Sequence, residues 1–573
     1  MKLIRVNMND QTTGVEEVPD EYLGLGGRGL SATIINAEVP PRCDPLGPEN
    51  KLMFAPGLLS GSPLGNTSRI SIGAKSPLTG TIKESNVGGT VSAALGRLGI
   101  AAVVVEGQAP VGALYFLRID ETGEARLVPA QAYRGKRTYK LVEEILEAYG
   151  EKNSVLCIGP AGEAGLLAAS IQSSDVEGRP CRAAGRGGLG AVMGAKGLKA
   201  LIVDQRGKGT KPVADPEAFK EANRAYIKII KEHPEPGHLM PALGTAALVA
   251  PVNSMGAFPC YNARKGVMDD WEKISGETMA ELIKERGGDP THAGCAQCFI
   301  QCSNIFVDPE GKYVTSSLEY ETIWATGGMT GLADLDTIAR LDYLCDDIGV
   351  DTMSTGVAIA VAMDAGYREF GDAEAAIELV EEIGKGTEFG KLLGSGPAVV
   401  GKHFGHDRVP VVKGQGVAGF DPRAMRGNGV TFATSPMGAD HTAGNVVGLC
   451  LQGKLDPMDA ERAVEVSRNL QITTAAFDST GLCFMASVAL MEPEPQAVFR
   501  QAMNAILGTE FGPDDFPRTM GLRVLKAEKE FNRKAGFTNE DDRLPSFYYT
   551  EPLPPRDAVF VISDEEMDTT FDF

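Results

Sequence analysis

The chain has 573 residues, 43% hydrophobic and 23% charged, which excludes disordered, collagen-like and coiled-coil proteins and leaves room for several domain-sized units. Its net charge of −21 makes it a poor non-specific binder of nucleic acid or anionic membrane, and its 6% aromatic content argues against a stacking platform for single strands. Glycine is in excess, at 69 residues, which points to many tight turns and close backbone approaches around a large ligand.

In chain order, the opening MKLIRVNMND lacks the apolar stretch of a signal peptide, and no later run approaches the ~18 residues of a membrane span; a cytoplasmic protein is expected. β-rich runs separated by Gly, Pro or Asn then recur at Lys51–Phe54, Arg69–Ile72, Ile100–Glu106, Ala113–Ile119, Ser154–Ile158 and Ala200–Val203. Helices are few in this part; Tyr139–Tyr149 is one. Asp204–Pro216 is polar and bears Gly and Pro, as linkers do. Helical spacing follows in Phe219, Ala222, Tyr226 and Ile229, in Leu335, Ile338, Leu341 and Leu344, and in Ala376, Leu379 and Ile383. A softer boundary falls near Val409–Gly419, and the remainder is mostly helical, with an acidic DEEMD tail. The expected architecture is α+β and multidomain: a glycine-rich β-sheet domain over 1–207, then two mainly helical domains over 208–410 and 411–573. No repeat with a period of 20–50 residues is present.

Ten cysteines are too few for a disulfide scaffold of this length. Cys295, Cys298 and Cys302 form C-x2-C-x3-C, a spacing that wraps three corners of an iron–sulfur cubane. A zinc site using His292 is the alternative, and unligated thiols the blander one. Cys260, Cys345, Cys450 and Cys483 are candidates for a fourth ligand. Gly185–Gly190 matches G-x-G-x-x-G, but the residues before it do not read as a strand, so a dinucleotide fold is not expected. Its glycines, with Arg182 and Arg186, suit an anion, as do Arg69, Lys75, Lys83 and Asn86 in the glycine-rich stretch Asn66–Gly89. A structural turn is the simpler reading of the first, and solvated loops of the second.

Taken together, GGRGLSA from Gly26, APGLLSGSPLGNTSR, ESNVGG, RAAGRGGLGAVMGAK, the cysteine motif, Leu318-Glu-Tyr-Glu321, Asp346-x-x-Gly-Val-Asp351, Gly438-Ala-Asp-His441 and Asp478-x-x-Gly-Leu-Cys483 resemble, in order, the tungsten-dependent aldehyde:ferredoxin oxidoreductase family. The resemblance spans essentially the whole chain. It implies tungsten, or molybdenum, held by two pterins at the domain interface, beside one [4Fe-4S] cluster on Cys295, Cys298, Cys302 and Cys483. The phrases with Asp346, Val350 and Asp351 and with Asp478 and Leu482 would each grip one pterin, the carboxylates accepting from ring N–H groups. Arg69, Asn86, Val87, Gly88, Arg182, Ala183, Gly185 and Arg186 would hold the phosphates, with a magnesium on the backbone of Asn86 and Ala183, and Arg69 between cofactor and cluster.

The implied reaction oxidises a small aldehyde to a carboxylic acid and passes electrons to ferredoxin or iron–sulfur partner subunits. Glu321 and His441 are the expected proton-handling residues, with Glu319 and Tyr320 as neighbouring candidates. Val350 replaces the family's usual Leu. No E-x-x-H lies around Asp334–Asp347, so no interface iron is expected, and a homo-oligomer stays open. Two other readings are the tungsten subunit of an aromatic-ring (benzoyl-CoA type) reductase and a non-catalytic iron–sulfur electron-transfer subunit.

Overall fold

The structure, a computed structural model, describes residues 1–207 and 209–573; Lys208, inside the segment read as a linker, lies outside the described residues. The first 204 residues build two six-stranded sheets of the same topology. One contains β1 (Lys2–Asn7), β2 (Thr12–Glu17), β3 (Leu52–Pro56), β4 (Ile70–Lys75), β5 (Ile82–Val87) and β6 (Ile100–Glu106), in the order β2-β1-β6-β3-β4-β5. The other contains β7 (Tyr115–Ile119), β8 (Ala125–Pro129), β9 (Asn153–Cys157), β10 (Ile171–Ser173), β11 (Arg182–Ala184) and β12 (Leu198–Asp204), in the order β8-β7-β12-β9-β10-β11. Each sheet has one parallel pair, β1 with β6 and β7 with β12, and is otherwise antiparallel.

Helices occupy matching places too. Helices α1 (Gly27–Glu38) and α3 (Thr138–Tyr149) each cover the outer face of their own sheet. Helices α2 (Val91–Arg97) and α4 (Leu189–Ala195) fill the space between the sheets, with Ile72, Val103, Leu156 and Leu201 in one apolar cluster. The N-terminal part is thus a structural duplication with a period of about one hundred residues, longer than a 20–50-residue repeat.

Several expectations need correction here. Besides the expected Tyr139–Tyr149 helix, the strand-rich part carries α1, α2 and α4. Arg182–Ala184 is a strand, so the Gly185–Gly190 loop does join a strand to a helix. It is still no dinucleotide unit, because β11 is an edge strand antiparallel to β10 and does not pair with β12. Lys75 donates to the Cys43 carbonyl at 2.7 Å, as a buried structural lysine.

Helix dominates after α5 (Pro216–Glu232). The periodic residues fall in α5, where Ala222 and Tyr226 are buried and Phe219 and Ile229 half-buried, and in α6 (Leu335–Ile348) and the helix Ala373–Lys385, whose apolar stripes are buried. Helix α7 (Thr352–Asp364) is apolar on nearly every face and correspondingly buried. A small sheet of β13 (Asp289–His292), β14 (Ser303–Val307) and β15 (Tyr313–Ser316), which periodicity did not reveal, carries the cysteine loop between its first two strands. Val412, Val417 and Ala418, within the softer boundary, sit in one apolar cluster running from Ala161 to Met567. Helices α8 (Ala463–Thr480) and α9 (Met520–Ala535) pack back onto α1.

Candidate active site

The sheets and the helical part enclose a cavity of about 370 Å³. It is lined by Arg69, Asn86, Val87, Gly88, Arg182, Ala183, Gly185, Arg186, Cys295, Cys298, Cys302, Glu321, Asp346, Val350, Asp351, His441, Asp478 and Cys483. Of the residues to which the family resemblance gave a site role, Leu482 alone does not line it. Its side chain packs into an apolar cluster with Leu59, Leu64 and Phe477, and its N–H donates to Thr480 Oγ1 at 3.2 Å.

Each half of the cavity repeats one construction. Helix α6 ends at Gly349, whose φ of +79° turns the chain toward Asp351, the N-cap of α7. Helix α8 ends at Gly481, with φ +83°, and the chain continues to Cys483. Glycine is required at both ends by the left-handed backbone, and by a second glycine from a sheet loop. A Cβ on Gly349 would lie 2.7 Å from Gly159 N, just after β9, and one on Gly481 2.9 Å from Gly57 Cα, just after β3. Asp351 N donates to Ala168 O at 3.0 Å beside the second sheet; Arg69 N donates to Gly481 O at 3.1 Å beside the first.

The four sulfurs come from two elements, the β13–β14 loop and the end of α8. Cys483 N donates to Asn66 O at 2.8 Å, and Gln301 N donates to Cys298 Sγ at 3.3 Å. A Cβ on Gly88 would overlap the Cys295 sulfur, so only glycine lets the sheet approach that closely. Burial and the neighbouring Cys295 thiol push Cys298 up to about 11, and burial with Glu319 and Cys483 raises Cys302. Thiols that oppose one another's ionisation this way are relieved by a shared cationic centre. No three of them lie within 4.8 Å of one another, whereas tetrahedral zinc at ~2.3 Å from each sulfur needs about 3.8 Å between sulfurs. His292, which kept zinc open, faces Glu177 instead, with Nε2 3.3 Å from Oε1. Cys260 and Cys345 are buried in the core and Cys450 packs beside it; none lines the cavity.

Charge is unevenly distributed around the wall. Arg69 donates from Nη2 to Asn86 O at 3.1 Å and from Nε to Asn86 Oδ1. Arg186 donates to Ala439 O at 2.7 Å and to Gly416 O at 2.5 Å, with Nε 3.5 Å from Asp351 Oδ2. Buried nitrogens Arg182 Nε, Arg186 Nε and His441 Nδ1 have no hydrogen-bond partner. Burying guanidinium donors unpartnered is costly, and Arg182 and Arg186, which line the cavity, suit an anionic, acceptor-rich occupant.

Burial pushes Glu321 up to about 8, although Gly419 N donates to it at 3.3 Å. Burial drives His441 down to about 4, reinforced by Arg186 and Lys83 and opposed by Asp440. Lys83 donates to Asp440 at 2.5 Å and holds that carboxyl well below its usual range against burial. At neutral pH the site therefore pairs a protonated carboxyl with a neutral imidazole.

Two cavity carboxyls escaped the sequence reading. Glu84 is two residues before Asn86 on β5, on the same face, and burial and Asp478 push it up to about 7. Asp342 is four residues before Asp346 on α6; burial pushes it up to about 7, although Thr315 donates to it at 2.7 Å. Strand alternation from Asn86 and helical spacing from Asp346 are the signals that mark them. Asp478, pushed up to about 6 by burial against Arg28, completes a buried network in which Arg28 also bonds Glu528 at 2.8 and 2.9 Å.

The sequence matches the family model "Aldehyde ferredoxin oxidoreductase, N-terminal domain" over residues 3–205 and "Aldehyde ferredoxin oxidoreductase, domains 2 & 3" over 221–571. It is 35% identical to the tungsten-containing aldehyde ferredoxin oxidoreductase of Pyrococcus furiosus, covering 96% of this chain and 92% of that one. It is 25% identical to the WOR-like subunit of an aliphatic sulfonate oxidoreductase from Pyrococcus furiosus, covering 96% and 90%. In fold it resembles the active-site complex BamBC of benzoyl coenzyme A reductase with 1,5-dienoyl-CoA, at a TM-score of 0.81 and 20% identity over 99% of this chain and 92% of that one. The chain belongs to the aldehyde ferredoxin oxidoreductase family, a family of oxidoreductases.

Proposed function

We propose that the protein oxidises aldehydes to carboxylic acids at a tungsten bis-pterin centre and passes the electrons through one [4Fe-4S] cluster to ferredoxin or an iron–sulfur partner subunit in the cytoplasm. One observation carries the reading: four thiols, two Asp-x-x-Gly helix ends, Glu321 and His441 all line a single cavity. The donor set suits the groups. Cys295, Cys298, Cys302 and Cys483 would hold the cluster. Asp346, Val350 and Asp351, and Asp478 with the backbone of Leu482, would accept from the pterin rings. Arg69, Asn86, Val87, Gly88, Arg182, Ala183, Gly185 and Arg186 would take the phosphates, with magnesium on the Asn86 and Ala183 carbonyls. When bound, the metal centre supplies a two-electron acceptor and the cluster a one-electron exit.

The protein's own part is to orient the aldehyde and move protons. Glu321, protonated at neutral pH, donates a hydrogen bond to the aldehyde oxygen. His441, neutral and with Nδ1 unpartnered, accepts a proton from the attacking water. Aldehyde and water yield the acid, two electrons and two protons. Those two side chains, and the 35% identity to an aldehyde enzyme, favour aldehyde oxidation over ring reduction.

The test is aldehyde-dependent reduction of a viologen dye or ferredoxin by the anaerobically purified chain. Activity with aldehydes and none with NAD is expected; NAD reduction by the isolated chain would contradict the reading.

A further inference from the structure

A line of hydrogen-bonding side chains leads from the cavity wall to the surface. Glu319 lines the cavity. Ser317 Oγ donates to Glu319 Oε1 at 2.8 Å, and Ser303 Oγ lies 3.2 Å from Ser317 Oγ. His292 Nδ1 is 3.4 Å from Ser303 Oγ, and its Nε2 is 3.3 Å from Glu177 Oε1. Ser303, Ser317 and His292 are buried, while the Glu177 side chain is 42% exposed.

We propose that Glu319, Ser317, Ser303, His292 and Glu177 form a proton relay connecting the cavity to solvent. Every interior member both donates and accepts, the property a relay needs. Buried hydroxyls usually bond backbone or water, yet those of Ser303 and Ser317 find only other side chains of this line among the described residues. Ser317 also sits at φ +68°, a backbone region serine rarely occupies. Strain of this kind persists where the surroundings impose it, and here it sets the hydroxyl between Glu319 and Ser303.

The inference rests on the proton-releasing oxidation proposed above. A proton released in the cavity joins the Glu319 carboxylate. The Glu319 O–H passes its proton to Ser317 as Ser317 passes its own to Ser303, Ser303 to His292 Nδ1, and His292 Nε2–H to Glu177, which yields it to solvent. One proton enters and one leaves, no electron moves, and rotation of the hydroxyls and the imidazole ring resets the line. These are relay residues, not catalytic ones: Glu319 and Ser317 line the cavity wall, whereas Ser303, His292 and Glu177 do not reach it.

The test uses the anaerobically purified, cofactor-loaded full chain and the variants Ser317→Gly, Ser303→Ala and His292→Ala. Ser317→Gly removes the hydroxyl while relieving the positive φ, so it separates the relay from folding. Each variant is expected to keep tungsten and iron, to lose about tenfold or more in aldehyde turnover, and to show a larger solvent deuterium isotope effect than wild type. Added imidazole should restore His292→Ala and not Ser303→Ala. Variants with wild-type turnover and isotope effect overturn the relay alone. Loss of iron in all three, with no imidazole rescue, marks the residues as structural and also overturns it. A wild-type chain inert toward every aldehyde overturns the function reading and this relay with it.

Discussion

The two six-stranded sheets share a topology and each meets one helix–glycine–turn phrase, yet the two half-sites differ in charge and in their last residue. The first sheet meets the phrase ending in Cys483, beside Glu84 and the Arg28–Asp478 pair; the second meets the phrase ending in Asp351, beside Arg182, Arg186 and the Asp342–Asp346 pair. Duplication supplies a two-fold scaffold, which would suit the proposed pair of pterins. What distinguishes the halves is one side chain per phrase: a thiol that reaches the cysteine loop, or a carboxylate that caps α7 by accepting from Met353 N and Ser354 N at 3.1 and 3.0 Å.

The largest effect is expected where that difference is removed. Cys483→Ser, or Cys298→Ala, should lose nearly all iron and acid-labile sulfide, whereas Cys345→Ala, in the core beside the other phrase, should retain both. Chemistry comes next. Glu321→Gln and His441→Asn should each lower aldehyde turnover by roughly 10²-fold or more with tungsten and iron retained. Because Glu321 acts protonated, wild-type activity should fall as pH rises through about 8, and Glu321→Gln should lack that limb.

A smaller effect tests the acidic half-site. Asp342 is pushed up to about 7 from an ordinary carboxyl value, so the native chain keeps a proton that the unfolded chain releases between roughly pH 4 and 7. Its contribution is fully present below about pH 4 and is lost as pH rises through 7. Urea unfolding of the cofactor-free chain across that window should show Asp342→Asn falling less steeply than wild type. The smallest effect tests the likeness of the halves. Gly349→Ala and Gly481→Ala should each cost about 1–3 kcal/mol, by similar amounts, because both meet a partner glycine at a positive φ.

Much of the scaffold was legible where residues serve only the core. Strands β3, β4, β6, β7, β9 and β12 announce themselves as apolar runs. Strands β5 and β11 did not, because Glu84, Asn86 and Arg182 face the cavity, and a wall polar enough for a ligand loses its strand signature. Helix α1 was hidden for a related reason: Gly27 and Gly29 let it pack against Asp478 and Ser479, and glycine reads as turn. The site was legible through ordered motifs, whereas Asp342 belongs to none and Glu84, which opens the ESNVGG motif, is given no role by it; both emerge only when helical spacing and strand alternation are laid over known positions. The Glu319–Glu177 line joins residues 142 positions apart, which no local pattern encodes.

The most direct test of the central claim, that these four thiols and two helix ends hold an iron–sulfur cluster beside a pterin-bound tungsten, is metal and sulfide analysis of the anaerobically purified chain. About four iron, about four sulfide and about one tungsten per chain are predicted. One zinc per chain with no acid-labile sulfide would contradict it.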